Sequence, residues 1–282
     1  MNQDYYCIPP EEFHLHSPIQ FNFVESFEDL SQTVAVELVD LIRKNAAQGK
    51  LTKVVLPVGP LELVPFAQLC NREGVSCESL VIFAMDEYVQ ADGRAIPSDH
   101  PLSFRRFFQQ SLLDQLDPDK CMPAEQLILP NPEDIEGTLK KIEHYGGFDV
   151  VYGGFGINGH FAFNAPPREP MDVETFRNTT VRILEPREGD VVQMAIGGTY
   201  GNLELIPPKA CTLGMKELLS AKMIHLTFMR SWHAGVLRRA LFGPVTATFP
   251  GSLLQLHSNV KATVTALAAK VPATSILQSP GK

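Results

Sequence analysis

The stretch FDVVYGGFGINGHFAFN, residues 148–164, joins a short apolar run to a cluster of glycines. Its first six residues are mostly apolar and aromatic, which is typical of a strand buried on both faces of a parallel sheet. The glycines that follow predict a tight turn in which the backbone can approach a ligand closely. Because ligands of open α/β sheets lie beyond the carboxyl ends of the strands, this turn is a candidate site.

The same succession of strand, turn and helix recurs on both sides of that stretch. Apolar runs predict further strands at residues 51–57, 79–85 and 221–229, and a final strand within 253–270. Helical periodicity predicts helices within 27–48, 61–74, 100–116, 133–147, 231–243 and the last part of 253–270. This alternation predicts a doubly wound, mainly parallel, Rossmann-like α/β sheet with helices on both faces.

We expect residues 1–25 to form an N-terminal arm, because they are rich in Pro, His and aromatics without periodicity, and residues 26–282 to form a single α/β domain. No run of eighteen apolar residues predicts a membrane span, and the acidic, proline-containing start does not resemble a signal peptide, so we expect a cytoplasmic protein. The net charge of −8 disfavours nucleic acid as a partner. The five cysteines have no metal-ligand spacing, and no motif predicts a metal or a cofactor.

Three segments follow predicted strands and should converge on one cleft: residues 57–60, 85–89 and 154–164. Asp86 and Glu87 are adjacent acids, which either cap a strand end or include a general base. His160 is either a structural residue of the glycine turn or a group that faces a ligand. The pattern of residues 154–159 is a weak match to a dinucleotide fingerprint, which would follow the first strand and precede an acid by about twenty residues.

These residues also carry a resemblance. MDEYV (85–89), HPLSFRRFF (100–108) and GFGINGHFAFNAP (154–166) resemble, in order and spacing, motifs of the glucosamine-6-phosphate isomerase/deaminase family, and LLQLHSN (253–259) resembles that family's final strand. The resemblance covers about residues 26–270. The wider superfamily also contains 6-phosphogluconolactonases, which share the core of the glycine and histidine motif.

The resemblance implies an isomerisation with loss of ammonia, in which Asp86 moves a proton between C2 and C1 of an open-chain amino-sugar phosphate. It implies that His160 assists ring opening, and we count Glu87 and Asn158 with the catalytic set. It also implies a lid at about residues 168–192. Contacts to the substrate are predicted for Gly59, Gly156, Gly159, Asn164, Arg182, Arg187, Arg230 and His233.

The chain departs from the family pattern at two places. Asn158 and Ala165 replace two carboxylates beside the histidine, so we expect His160 to lack acidic partners and activity on glucosamine 6-phosphate to be low. In the loop after the first strand, Pro60 removes an amide donor and Glu62 adds negative charge, so we expect weaker phosphate binding.

Three functions stay open at this point. The first is a sugar-phosphate isomerase/deaminase, the second a catalytically weakened sugar or sugar-phosphate binding protein, and the third a 6-phosphogluconolactonase-like hydrolase. In each case the expected partner is a small sugar phosphate or related sugar. The sequence leaves open whether the chain forms a homo-oligomer.

Overall fold

The computed structural model describes residues 4–59 and 61–272, and their central feature is a seven-stranded sheet. Its strand order is β1-β10-β9-β6-β2-β3-β5, and every neighbouring pair is parallel. These strands are β1 Gln20–Val24, β2 Thr52–Leu56, β3 Leu80–Ala84, β5 Leu127–Ile128, β6 Val150–Gly153, β9 Met223–Phe228 and β10 Val260–Thr265. The predicted mainly parallel α/β fold is confirmed.

Ten α-helices lie in the described part of the chain, and most of them pack on this sheet. They are α1 Phe13–His16, α2 Phe27–Ala46, α3 Val64–Glu73, α4 Phe104–Ser111, α5 Ile135–His144, α6 Val173–Arg177, α7 Glu188–Gly198, α8 Met215–Leu219, α9 His233–Phe242 and α10 Ala266–Ala269. Alternate residues of β2 enter different cores: Val54 and Leu56 pack with α2 and α3, and Val55 packs on the opposite side of the sheet. The strands are apolar on both faces because both faces are covered.

After β2 and after β6 the chain adds successive strands in opposite directions along the sheet. From β2 the chain adds β3 and β5 on one side, and from β6 it adds β9 and β10 on the other. The carboxyl ends of β2 and β6 therefore form the topological switch point, which is where ligands of such sheets bind. The glycine turn that follows β6 lies at this point.

A second, three-stranded antiparallel sheet was not predicted. It consists of β4 Asp86–Val89, β8 Lys209–Thr212 and β7 Arg182–Leu184, in the order β4-β8-β7. Thr212 at the end of β8 pairs with Asp86 on one side and with Arg182 on the other. This small sheet thus brings a segment of the predicted lid beside Asp86.

Two local predictions are wrong. Residues 20–24 of the predicted arm form β1, which pairs in parallel with β10. Residues 253–256 were expected in a strand but belong to a 3-10 helix, Pro250–Leu256, and the strand begins at Val260. Within the described part of the chain, no helix is long and apolar enough to cross a membrane.

Candidate active site

Asp86 lies at the start of β4, just beyond the carboxyl end of β3, and is only 7% exposed. Its carboxylate accepts a hydrogen bond from the amide of Phe163 at 3.1 Å and one from the hydroxyl of Thr212. Burial raises the pKa of Asp86 to about 7, although these two bonds and the nearby charge of His160 lower it. A carboxylate that titrates near neutral pH is suited to take up and return a proton.

Glu87 has a different role from its neighbour. It is buried, and its two oxygens accept hydrogen bonds from the amides of Phe104 and Arg105 at 3.0 and 3.1 Å and from the Ser103 hydroxyl at 3.1 Å. These groups form the N-terminus of α4, where free amides favour a carboxylate. Glu87 thus anchors α4 to the strand that carries Asp86, and its predicted catalytic role stays a prediction.

His160 lies in the glycine turn after β6, and its side chain is 14% exposed. The ring packs against the backbone of Gly156, where a Cβ atom would lie 1.9 Å from the ring carbon Cε1. Gly159 has a φ of +81°, and a Cβ there would meet the ring of Phe249 at 2.6 Å. Both glycines thus shape the turn that holds the imidazole, and their predicted contacts to substrate stay predictions.

Asp190 in the first turn of α7 is the carboxylate partner of His160. Its Oδ1 lies 2.7 Å from His160 Nδ1 and accepts a hydrogen bond from Asn158 Nδ2, also at 2.7 Å. Asn158 Oδ1 in turn accepts the amide of His160 at 3.1 Å. The expectation that His160 lacks an acidic partner is therefore wrong, because Asp190 supplies the carboxylate that position 158 lacks. Asn158 forms hydrogen bonds with both His160 and Asp190.

The ionic state of Asp190 fits this pairing. Burial alone raises the pKa of Asp190, but the hydrogen bond and charge of His160, with the bonds from the Arg187 amide and Asn158, outweigh it and lower the pKa. Asp190 is thus ionised at neutral pH although it is only 1% exposed. A buried carboxylate stays charged in this way only where it is well paired.

The backbone between His160 and Asn164 aims an amide at Asp86. Ala162 has a φ of +57°, a left-handed conformation that side chains rarely adopt, and the amide of Phe163 then donates to Asp86. Asn164 is fully buried, and its Nδ2 donates to the carbonyls of Phe161 and Leu213 at 3.0 and 2.9 Å. Asn164 thus holds this turn with its Nδ2, and its predicted contact with substrate stays a prediction.

The end of β9 does not supply the cation predicted at His233. The ring is 2% exposed, and its Nδ1 accepts the amides of Met229 and Arg230 at 3.0 and 3.1 Å. Burial and the charge of Arg230 lower the pKa of His233 to about 3, so the ring is neutral. His233 thus has a structural role, and its predicted contact with substrate stays a prediction. The Arg230 side chain is exposed beside the carboxyl edge and also stays a candidate.

Two arginines of the predicted lid lie near the cleft. Arg182 is half-buried on β7, where burial lowers its pKa while the charges of Glu217 and Asp86 raise it. Arg187 donates from Nε and Nη2 to the carbonyl of Pro166, at 3.1 and 2.6 Å. Arg182 is thus a cation that interacts electrostatically with Asp86 across β8, while Arg187 ties the start of α7 to the loop after His160.

The loop after β2 is the remaining predicted segment. Gly59 is exposed with a φ of +62°, and Glu62 is exposed ahead of α3. Pro60, predicted to remove an amide donor, lies outside the described residues. The predicted contact of Gly59 with substrate and the weakening effect of Glu62 stay predictions.

The chain matches curated proteins over most of its length. It is 30% identical over 212 residues to a glucosamine-6-phosphate deaminase of Yersinia pestis, a match that covers 72% of this chain and 73% of that protein. The chain belongs to the glucosamine-6-phosphate deaminase family. A glucosamine-6-phosphate deaminase-like protein of Bacteroides thetaiotaomicron is 26% identical over 252 residues, but the match spans only 35% of that longer protein. No family model matches the chain.

The fold of this chain resembles solved structures of a glucosamine-6-phosphate deaminase and of 6-phosphogluconolactonases. A monomeric glucosamine-6-phosphate deaminase superposes with a TM-score of 0.74 at 23% identity, covering 90% of this chain and all of the other. A 6-phosphogluconolactonase of Thermotoga maritima superposes with a TM-score of 0.61 at 16% identity, covering 88% and 99%. At these identities the likeness concerns the fold.

Sequence reasoning missed two residues of the site, Asp190 and Thr212. Asp190 follows His160 by thirty residues in a segment where only the arginines were considered. The sequence gives one signal for Asp190: it is an acid that lies three residues after a turn and just before the apolar run of α7. Acids at such positions are typical of the first turn of a helix. Thr212 gave no signal, because its proximity to Asp86 depends on the pairing of β4 with β8.

Proposed function

We propose that the protein isomerises and deaminates an amino-sugar phosphate of the glucosamine 6-phosphate class. Water is consumed, and a ketose phosphate and ammonia are formed. The observation that carries the proposal is a buried carboxylate, Asp86, whose pKa is about 7, beside an imidazole that is paired with the ionised Asp190. Such a pair separates two tasks, because one group moves a carbon-bound proton and the other moves the proton of ring opening.

In the first step the bond between C1 and the ring oxygen breaks while the C1 hydroxyl becomes a carbonyl: His160 transfers a proton to the ring oxygen, and the proton of the C1 hydroxyl passes to water. With Nδ1 directed at Asp190, the other ring nitrogen, Nε2, is left for this transfer. Asp190 stabilises the protonated ring without taking the proton itself, as the acid of a Ser-His-Asp triad does.

In the second step Asp86 removes the proton from C2 and returns it to C1. As the C1 carbonyl becomes a hydroxyl, its oxygen takes a proton from the substrate's ammonium group, and C2 becomes an iminium carbon. Water adds to this carbon, and ammonia and a proton leave as the C2 carbonyl forms. Asp86 begins and ends this step ionised, and its near-neutral pKa keeps the forward and return transfers close in energy.

The substrate's anionic group is proposed to meet Arg182 or the exposed Arg230. Arg182 lies in the small sheet next to Asp86, and Arg230 follows β9 at the edge where the catalytic groups lie. A guanidinium suits a phosphate because it presents parallel donors to two oxygens.

The experiment measures ketose phosphate and ammonia formed from glucosamine 6-phosphate by the wild type, by Asp86→Asn and by Glu87→Gln. Loss of the proton-transfer group should lower kcat at least about 100-fold in Asp86→Asn. Glu87→Gln is the matched control: the neighbouring acid is amidated, but it supports α4, so activity per folded molecule should stay within a few-fold of the wild type.

Three results would contradict the proposal. Equal activity of wild type and Asp86→Asn would remove Asp86 from the chemistry. Hydrolysis of 6-phosphogluconolactone without deamination would favour the lactonase alternative. A ligand-induced rise in Tm without turnover would favour a binding protein.

A further inference from the structure

The acid that pairs with His160 comes from a separate helix. Asp190 belongs to α7, whereas His160 and Asn158 belong to the turn after β6. The sequence has an amide at 158 and a methyl group at 165, where a carboxylate would come from the turn itself. The ion pair of His160 in the described chain is thus formed across a contact between two elements.

The two oxygens of Asp190 have different partners. Oδ2 accepts the amide of Arg187 at 2.9 Å and so caps the first turn of α7, which holds the carboxylate at a fixed rotation. Oδ1 faces away from the helix, where it meets His160 and Asn158. A purely structural cap would not need the second set of bonds, since one oxygen satisfies the helix.

Two more contacts hold α7 on the same turn. Gln193, one helical turn after Asp190, accepts the amide of Ile157 with its Oε1 at 2.7 Å. At the start of the helix, the guanidinium of Arg187 binds the carbonyl of Pro166. The helix therefore contacts the segment around His160 at both of that segment's ends, residues 157 and 166. The position of Asp190 relative to His160 depends on these contacts.

We propose that Asp190 is the positioning residue of His160, and that the alignment of the catalytic imidazole depends on the docking of α7 against residues 157–166. Asp190 Oδ1 at 2.7 Å, with Asn158 Oδ1 at 2.9 Å from the same nitrogen, holds the ring with Nδ1 protonated and leaves Nε2 for the substrate. Asp190 stands in for the carboxylates absent at Asn158 and Ala165. The inference rests on the proposed function for its kinetic consequences, but its structural content is independent of the substrate.

The first test exchanges the acid and the amide between the two elements. Asp190→Asn should lower kcat for glucosamine 6-phosphate about 100-fold, with little change in KM, because the ring loses its orienting charge. Adding Asn158→Asp to that variant returns a carboxylate to the ring from the other side and should recover kcat to within about tenfold of the wild type, because the two sites share one partner. A merely structural role for Asp190 predicts no recovery, and such a result would overturn the proposal.

A second test isolates the dependence on the helix. Gln193→Ala removes the bond to the Ile157 amide and should lower kcat several-fold in the wild type. In the exchanged background, Asn158→Asp with Asp190→Asn, the acid no longer comes from α7, so the same substitution should have little effect. Equal losses in both backgrounds would mean that Gln193 acts on the site independently of Asp190.

A readout without turnover separates this inference from the proposed function. Nitrogen NMR of histidine-labelled protein, with the His160 signals assigned from a His160→Gln variant, reports which ring nitrogen carries the proton. The wild type should show the Nδ1-protonated tautomer, and Asp190→Asn should show a mixture. Should the wild type lack deaminase activity yet show this change, the proposed function fails and the positioning role stands; an unchanged tautomer in Asp190→Asn overturns the positioning role whatever the activity.

Discussion

At the scale of single residues, the burial of Asp86 has a cost that depends on pH. The pKa of this carboxyl rises from 3.8 to about 7 on folding, because the buried site disfavours the charge. The folded protein therefore holds a proton that the unfolded chain has released, and the stability contributed by the protonated form is lost as the pH rises from about 4 to about 7. The carboxylate proposed as the proton-transfer group thus destabilises the fold at neutral pH.

Asp86→Asn should consequently be more stable than the wild type at alkaline pH. The gain in unfolding free energy should increase by about 2–3 kcal/mol between pH 5 and pH 8, since each unit of pKa shift corresponds to about 1.4 kcal/mol. Urea denaturation at both pH values measures this increase. The exposed Glu125, replaced by Gln, is the control and should show no such trend; a gain independent of pH would attribute the effect to packing rather than to charge.

At the scale of secondary-structure elements, Glu87 connects β4 to the N-terminus of α4. Its carboxylate accepts the amides of Phe104 and Arg105 and the hydroxyl of Ser103, which also caps the helix. Because removal of the carboxylate leaves buried donors without an acceptor, Glu87→Ala should lower the unfolding free energy by about 2–4 kcal/mol. Glu87→Gln keeps one acceptor oxygen and should lose less.

Chemical denaturation of the two variants, beside Ser103→Ala, checks this assignment. Ser103→Ala removes only a helix cap and should cost about 1 kcal/mol. A Glu87→Ala variant that keeps wild-type stability but loses activity would restore the catalytic role that the sequence suggested for Glu87.

Elements with local signals were predictable, and those defined by distant pairing were not. The strand at Val150–Gly153 and its glycine turn follow from a buried apolar run and close glycines, which are patterns within a few residues. The strands β4, β7 and β8 are only three or four residues long, and their pairing joins Asp86 to Thr212, so no periodicity marks them. From sequence alone β7 falls within the predicted lid, β4 falls after a predicted strand, and no pattern indicates β8.

The candidate site divides in the same way. Asp86 and His160 follow strands, so their meeting at the carboxyl edge was predictable from topology. Asp190 was not predictable. Comparison of motifs shows that positions 158 and 165 lack a carboxylate, but it cannot show that α7 supplies one. The sequence likewise could not distinguish the roles of the adjacent acids Asp86 and Glu87, because only the packing of α4 shows which carboxylate binds the helix N-terminus.

At the scale of the whole molecule, Arg238 holds the two ends of the described chain against α9. Its side chain is completely buried, and burial lowers its pKa to about 10. Nε donates to the carbonyl of Ile8 at 2.9 Å, Nη1 to Lys270 at 3.1 Å and Nη2 to Ala269 at 2.7 Å. The guanidinium also lies 5.0 Å from the centre of the Phe13 ring. One cation thus links the N-terminal segment, α9 and the segment after β10.

Arg238→Met should therefore lower the unfolding free energy by about 3–5 kcal/mol, because several buried carbonyls lose their donor. Arg238→Lys keeps the charge but not the planar set of donors, so an intermediate loss is expected. The midpoint of urea denaturation measures both. Hydrogen exchange locates the effect: amides of residues 5–16 and 266–270 should lose protection before those of α5, since only the former segments depend on the guanidinium. A uniform loss of protection would mean that Arg238 stabilises the fold through α9 packing alone, and wild-type stability of Arg238→Met would mean that an apolar side chain of similar volume offsets the bonds it replaces.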